Sequence, residues 1–180
     1  MSGLSDSFNR PINYLRISVT DRCNLRCVYC MPAEGVNLMA HSDILTYEEI
    51  YKVAQAAAEL GISKVRLTGG EPLVRLGLTE LVRMLASIKE IDDLSLTTNG
   101  IFLAKCAAEL KAAGLHRVNI SLDTLVPEQF HQISRGGNIE DVLRGMAAAK
   151  SAGLTPIKIN MVVMAGTNDN EIIDFGRKTI

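Results

Sequence analysis

The sequence has no excess of charge of either sign and no long apolar run. It carries 19 basic and 20 acidic side chains, a formal net charge of −1. A balanced chain produces no long-range field that attracts nucleic acid or anionic lipid, so an anion site requires a local group of Lys and Arg. No apolar run approaches the roughly 18 residues that span a bilayer. These absences exclude nucleic-acid partners and a membrane span.

The N-terminus also lacks the apolar stretch of a secretory signal, because residues 1–10 are polar. We therefore expect a cytoplasmic protein in a reducing compartment. In such a compartment, four cysteines favour metal or redox chemistry over disulfide bonds. With 47% apolar and 22% charged residues, the 180-residue chain suits one folded domain.

Five short segments rich in branched residues are each followed by a longer helical pattern. The predicted strands are Tyr14 to Thr20, Lys64 to Thr68, Asp93 to Thr98, Arg117 to Asp123 and Pro156 to Met164. This repeat predicts an α/β fold with about five βα units and a parallel sheet or barrel. A (βα)8 barrel takes about 250 residues. We therefore expect a part-barrel or truncated barrel over residues 14–180, preceded by an extension over residues 1–13.

The predicted strands alternate between apolar and polar side chains instead of reading as continuous apolar runs. In a nearly closed barrel the polar set faces the lumen, which would be open and hold a ligand. Its charged members are three cations and one carboxylate, Arg16, Arg66, Lys158 and Asp123. The ligand should therefore be anionic. An open sheet with a solvent-facing polar side remains the alternative.

Local signals place several helix ends. Thr46 and Glu49 have the spacing of a capping box, and Gly61, Gly114 and Gly153 are positioned to end helices. Asn168 and Glu171 have cap and N3 spacing before a last helix. Asp123 is interpreted as a helix-capping carboxylate, and residues 134–138 as a flexible loop capped by Asn138.

Three cysteines lie within eight residues directly after the first predicted strand. Cys23, Cys27 and Cys30 can hold three corners of an iron–sulfur cluster and leave one iron open. His41 would complete a four-ligand zinc site, which is the alternative. Cys106 lies in an Ala-rich predicted helix and is interpreted as a buried apolar residue.

The spacing Cys23-x-x-x-Cys27-x-x-Cys30 resembles the signature of the radical S-adenosylmethionine (SAM) enzymes. The resemblance implies a part-barrel of six βα units and one 4Fe–4S cluster bound by these thiolates. It also implies SAM on the open iron, cleaved to a 5′-deoxyadenosyl radical. Tyr29, Gly70 in the Thr68-Gly69-Gly70-Glu71-Pro72 segment, and Ser121 match the family's cofactor contacts. From the residues alone, the two glycines indicate a place where backbone approaches a ligand.

Several segments resemble, more narrowly, the GTP 3′,8-cyclases of molybdenum cofactor biosynthesis. They are Leu15 to Asn24, Val65 to Pro72, Thr97 to Gly100, Asn119 to Asp123 and Ile157 to Asn160. The resemblance implies that Arg16, Arg66, Thr97 and Lys158 contact GTP. It implies abstraction of the ribose 3′ hydrogen and attack on C8 of guanine. The product would be (8S)-3′,8-cyclo-7,8-dihydroguanosine 5′-triphosphate, in the first step of that pathway.

The resemblance also implies partners. An electron donor such as flavodoxin or ferredoxin would reduce the cluster, and cyclic pyranopterin monophosphate synthase would use the product. A homodimer is compatible with the resemblance. The family's second 4Fe–4S cluster has no ligands here, so we expect a fragment with impaired activity. The alternatives are another radical SAM enzyme, acting on a peptide or tetrapyrrole, and a non-catalytic iron–sulfur or zinc-binding fragment.

Overall fold

The computed structural model describes residues 3–178, which fold around one five-stranded parallel sheet. The strands are β1 (Tyr14–Ser18), β2 (Lys64–Thr68), β3 (Asp93–Thr98), β4 (Arg117–Ser121) and β5 (Lys158–Asn160). Their spatial order is their chain order, β1-β2-β3-β4-β5. Each crossover therefore carries the chain to the next strand position, as in a barrel-type sheet. The predicted α/β fold with five βα units is confirmed.

Six α-helices cover the sheet. They are α1 (Tyr47–Glu59), α2 (Leu78–Ala86), α3 (Leu103–Ala112), α4 (Pro127–Ser134), α5 (Ile139–Ser151) and α6 (Ile172–Arg177). Single 3-10 turns occupy His41–Asp43, Pro72–Val74 and Asp169–Glu171. No helix within residues 3–178 has both the length and the apolar character to cross a membrane.

The core lies between the helices and the apolar side of the sheet. The central strands place alternate side chains there with no exposed surface, namely Val65, Leu67, Leu94, Leu96, Val118 and Ile120. On β1 and β5 the equivalent residues, such as Ile17 and Ile159, are half-buried because each has a neighbouring strand on one side. The polar parity lies on the opposite side, as predicted.

The predicted helix signals at α1 and α5 are confirmed. Thr46 and Glu49 form a reciprocal capping box, and the Asn138 side chain accepts from the Glu140 amide at 3.0 Å. Gly61, Gly114 and Gly153 follow helix ends with φ of 99°, 107° and 77°, a region in which glycine avoids the steric cost of a side chain.

The predicted cap at Asn168 is wrong. Its side chain forms no capping hydrogen bond and is fully buried. The amide donates to the carbonyls of Asp123 (2.6 Å) and Val162 (2.9 Å), and its oxygen accepts from Met164 N–H (2.7 Å). Three partners in a buried site satisfy this amide better than one exposed helix end would. Asn168 therefore joins the segments after β4 and β5.

Two buried glutamates fasten neighbouring strand ends in the same way. Glu71, after β2, accepts from the Thr98 hydroxyl and the Asn99 amide, both at 2.7 Å. Glu171, after β5, accepts from the Thr124 hydroxyl at 2.5 Å and the Leu125 amide at 2.6 Å. Each carboxylate satisfies loop donors that water does not reach. Glu71 thereby ties the loop after β2 to the loop after β3, and Glu171 ties the loop after β5 to the loop after β4.

Glu171→Gln should destabilise the fold by about 1–3 kcal/mol, because the new NH2 group would replace a carboxylate oxygen that accepts from a donor in a buried site. Asp174→Asn is the matched control, since Asp174 makes an exposed i,i+3 ion pair with Arg177, and it should change stability by less than about 0.5 kcal/mol. Urea denaturation of both variants measures the difference. Equal stabilities would contradict the role given to Glu171.

Candidate functional site

The three cysteines lie on one loop at the carboxyl end of β1. Cys23 and Cys27 are half-buried, Cys30 is exposed, and all three are free thiols. The Leu25 amide donates to Cys23 Sγ at 3.4 Å, and the Cys30 amide donates to the Cys27 carbonyl at 2.9 Å. The carboxyl ends of parallel strands are where α/β proteins place their ligands.

The cysteine loop is docked on the C-terminal end of α4. Arg26 N–H donates to the Ser134 carbonyl at 3.1 Å, and Val28 N–H donates to the Ile133 carbonyl at 2.9 Å. The last carbonyls of a helix lack intrahelical hydrogen-bond donors, and here the amides of the cysteine loop are the donors. The predicted loop over residues 134–138 is present from Arg135 onward, whereas Ser134 is the last residue of α4 and its carbonyl supports the cysteine loop.

The Gly69–Gly70 turn lies directly against the backbone before the cysteines. Gly70 N–H donates to the Thr20 carbonyl at 2.7 Å, and Glu71 N–H donates to the Arg22 carbonyl at 2.8 Å. A Cβ on Gly70 would lie 2.3 Å from Arg22 O. The predicted close approach of backbone exists, but what the missing Cβ makes room for is this neighbouring loop.

Glu71 extends this contact to β3. Its carboxylate also accepts from the Leu73 amide at 3.0 Å, and the Asn99 side chain donates to Asn24 Oδ1 at 2.9 Å. Burial raises the pKa of Glu71, while its hydrogen bonds from Asn99, Leu73 and Thr98 act in the opposite direction. The loops after β1, β2 and β3 therefore form one connected rim.

Tyr29 connects the cysteine loop to β4. Its hydroxyl donates to Asp123 Oδ2 at 2.7 Å, and Asp123 Oδ1 accepts from the Val162 amide at 2.9 Å. Asp123 is 6% exposed and caps no helix, so its interpretation as a helix-capping carboxylate is wrong. Burial first, and then the bond to Asp123, raise the pKa of Tyr29. The tyrosine hydroxyl is thus held by the protein, while 44% of the residue's surface is exposed.

The candidate substrate residues lie on the polar side of the sheet. Arg16 pairs in register with Arg66, and Thr97 and Lys158 both pair with Asn119. Arg16 and Lys158 are exposed, whereas Arg66 and Thr97 are half-buried. None of the three cations forms an ion pair with any described residue.

Arg66 is nevertheless held in place. Its Nε donates to Ser95 Oγ at 3.4 Å, and its guanidinium lies 5.2 Å from the centre of the Tyr14 ring. With the Asn119 amide turned so that its oxygen faces Arg66, that oxygen accepts from the guanidinium at 3.0–3.1 Å. These are neutral partners, so the charge is oriented and remains available to an anion. Ser121, the last residue of β4, lies half-buried on the same side as Asn119.

Sequence reasoning missed one charged pair on this face. Arg117 binds Asp93 through two contacts, Nε to Oδ1 at 3.0 Å and Nη2 to Oδ2 at 2.6 Å. Strand parity places Arg117 with Asn119 and Ser121, so the alternation could have identified it. The ion pair neutralises this cation, and the face keeps Arg16, Arg66 and Lys158 as its unpaired positive charges.

Comparisons with known proteins identify the family and the fold. The Radical SAM superfamily matches residues 17–178. The chain belongs to the radical SAM superfamily. Among solved structures, methylornithine synthase matches with a TM-score of 0.74 and 18% identity, over 92% of this chain and 49% of that one. Streptococcus suis SuiB bound to S-adenosylmethionine matches at 0.70 and 20%, over 91% and 37%. These likenesses show that the fold is the radical SAM part-barrel.

Curated relatives share much higher identity. The GTP 3′,8-cyclase of Peptoclostridium acidaminophilum is 59% identical over 99% of this chain and 55% of that protein. The GTP 3′,8-cyclase of Geobacter sulfurreducens is 57% identical over 98% and 54%. The chain therefore spans about half the length of the curated relatives it matches.

The three thiols suit an iron–sulfur cluster, because cysteine thiolates are the usual ligands of its irons. The alternative with His41 would need four ligands around one zinc ion. Within residues 3–178, no three His, Cys, Asp or Glu side chains are grouped closely enough to hold one metal ion. Burial raises the pKa of Cys27 to about 11 and raises that of Cys23, and a cationic cluster would offset the cost of thiolates there.

Gly70→Ala should destabilise the radical SAM domain by at least about 2–3 kcal/mol, because the 2.3 Å contact with Arg22 O involves backbone on both sides. Gly176→Ala is the matched control, since a Cβ there meets no atom of residues 3–178 within 4 Å, and we expect a change below about 1 kcal/mol. Thermal or urea unfolding of the two variants tests this. A stable, wild-type-like Gly70→Ala chain would show that the two loops are not in contact.

Proposed function

We propose that this chain carries the cofactor-binding and triphosphate-binding part of a GTP 3′,8-cyclase. One observation carries the proposal: three cations that form no ion pair among residues 3–178, Arg16, Arg66 and Lys158, lie on the polar side of the sheet whose strand ends hold the cysteine loop. Relatives of that name are 54–59% identical over nearly the whole chain. The proposed product is (8S)-3′,8-cyclo-7,8-dihydroguanosine 5′-triphosphate.

Cys23, Cys27 and Cys30 are the proposed ligands of one 4Fe–4S cluster. Three thiolates leave one iron open for the amino and carboxylate groups of SAM. When bound, the cluster and SAM supply a one-electron cleavage that makes a carbon-centred radical. The protein's contribution is to hold the loop on α4 and on the Gly69–Gly70 turn, and to exclude competing hydrogen donors.

Tyr29, Gly70 and Ser121 are the proposed SAM contacts. Tyr29 lies between Cys27 and Cys30 in the sequence, and its hydroxyl is bound to Asp123. The amide of Gly70 is bound to Thr20 O, which leaves its carbonyl for the amino group of SAM. Ser121 offers a hydroxyl at the end of β4.

Arg16, Arg66, Thr97 and Lys158 are the proposed GTP contacts. A triphosphate needs several fixed cationic donors, and these residues come from β1, β2, β3 and β5 of one face. The bonds that hold Arg66 leave little motion to be lost on binding, which favours orientation of the nucleotide. The cations also favour this proposal over a peptide or tetrapyrrole substrate.

The proposed partners are GTP, an electron donor such as flavodoxin or ferredoxin, and a cyclic pyranopterin monophosphate synthase that uses the product. A second copy in a homodimer also belongs to this proposal. The second 4Fe–4S cluster of the cyclases would need ligands that residues 1–180 do not supply, because the fourth cysteine, Cys106, lies in α3 with its thiol directed to the Phe102 carbonyl.

GTP binding by the chain, measured by isothermal titration calorimetry, tests the triphosphate site. Arg66→Ala should weaken binding by about 10- to 100-fold, as expected for a lost charge-assisted contact. Arg83→Ala is the control, since Arg83 forms an exposed ion pair with Glu80 on α2, and should leave affinity unchanged. Equal loss in both variants, or wild-type affinity in Arg66→Ala, would contradict the proposed site.

A further inference from the structure

The residue that ends α4 has an unusual backbone conformation. Arg135 has φ 54° and ψ 53°, the left-handed region that glycine occupies at most helix ends. A non-glycine residue there costs on the order of 1 kcal/mol. Gly136 and Gly137 follow directly, so the chain has glycine available nearby and yet keeps arginine at this position. Such a cost is retained where the side chain has a task.

The Arg135 side chain reaches back to the cysteine loop. Its Nη1 donates to the Met31 carbonyl at 2.8 Å and to the Arg26 carbonyl at 3.2 Å. Arg26 and Met31 flank Cys27 and Cys30 in the sequence. One guanidinium nitrogen therefore holds both ends of the segment that carries two of the three thiols.

No other described arginine donates to carbonyls at both ends of this segment. The Arg26 side chain donates to the carbonyls of Cys23 (2.7 Å) and Leu25 (2.9 Å), so it holds only the first part of the loop. The backbone bonds from Arg26 and Val28 to the end of α4 fix the middle. Within residues 3–178, the carbonyl of Met31 has Arg135 as its recorded hydrogen-bond partner. Arg135 therefore holds the end of the loop at Met31, while the bond from Tyr29 to Asp123 holds its middle.

We propose that Arg135 is a positioning residue for cluster binding: its left-handed backbone aims the guanidinium at two loop carbonyls and thereby sets the spacing of Cys27 and Cys30. This inference deepens the proposed function, since it concerns the same thiols. It differs from a structural role at the helix end, because glycine would satisfy that role with less strain.

Arg135→Gly separates the two roles. Glycine should keep or raise the stability of the fold, because it removes the left-handed strain. It should also free the loop, so that maleimide labels Cys27 in the metal-free chain about tenfold faster, as expected for two lost hydrogen bonds. The full chain is used with Cys106→Ala, labelling is mapped by peptide mass spectrometry, and stability is measured by urea unfolding.

Two further variants complete the test. Gln132→Ala, at an exposed position of α4, should label at the wild-type rate. Arg135→Lys keeps the charge but lacks the planar guanidinium, and should fall between wild type and Arg135→Gly. After anaerobic reconstitution, iron bound to Arg135→Gly should be lost to a chelator several-fold faster than from wild type.

Wild-type labelling of Cys27 in a stable Arg135→Gly chain would overturn the proposal. A fall in global stability that accounts for the faster labelling would also overturn it, because Arg135 would then serve only the fold. The labelling arm uses no cluster. A wild-type chain that binds no cluster, while Arg135→Gly still labels faster, would reject the proposed function and leave the positioning of the thiols intact.

Discussion

Backbone-to-backbone contact between the first two strand-end loops is the constraint on which the site depends. The amides of Gly70 and Glu71 donate to the carbonyls of Thr20 and Arg22 at 2.7 and 2.8 Å, a separation that leaves no room for a Cβ on Gly70. The contact fixes where the chain leaves β1, and Cys23 follows immediately. Because buried backbone groups need partners, the two loops satisfy each other and fix the direction of the cysteine loop.

Buried carboxylates extend that order around the rim. Glu71 joins the loops after β2 and β3, Glu171 joins those after β4 and β5, and Asp123 joins β4 to Tyr29. Each of these three carboxylates accepts hydrogen bonds from hydroxyl or amide groups, and among the described residues none has a cation as its hydrogen-bond partner. The carboxylates of the rim therefore do not neutralise the positive charges of the sheet. Arg117 is the exception on the polar face, where Asp93 neutralises it. The remaining cations, Arg16, Arg66 and Lys158, lie on the polar side of the sheet.

Local signals in the sequence predicted the elements better than their connections. The strands, the capping box at Thr46 and the cap at Asn138 follow from residue types within a few positions. The roles given to the side chains of Asn168 and Asp123 were wrong, because the contacts that decide them include partners 45 and 39 residues away, and the contact between Arg135 and Arg26 spans 109 residues. Propensity alone assigned these polar residues to the nearest helix end, whereas tertiary contacts decided the outcome. The positions of Arg16, Arg66, Thr97 and Lys158 on one face followed from parity, since side chains alternate strictly along a strand.

The central claim is that Cys23, Cys27 and Cys30 form a preorganised site for a cluster with one open iron. The most direct measurement is the electron paramagnetic resonance spectrum of the anaerobically reconstituted, reduced chain, recorded with and without SAM and combined with iron and sulfide analysis. The account predicts about four irons per chain and a spectrum that changes when SAM is added, retained in Cys106→Ala and lost in Cys27→Ala. Bound zinc, no cluster, or a spectrum indifferent to SAM would contradict it.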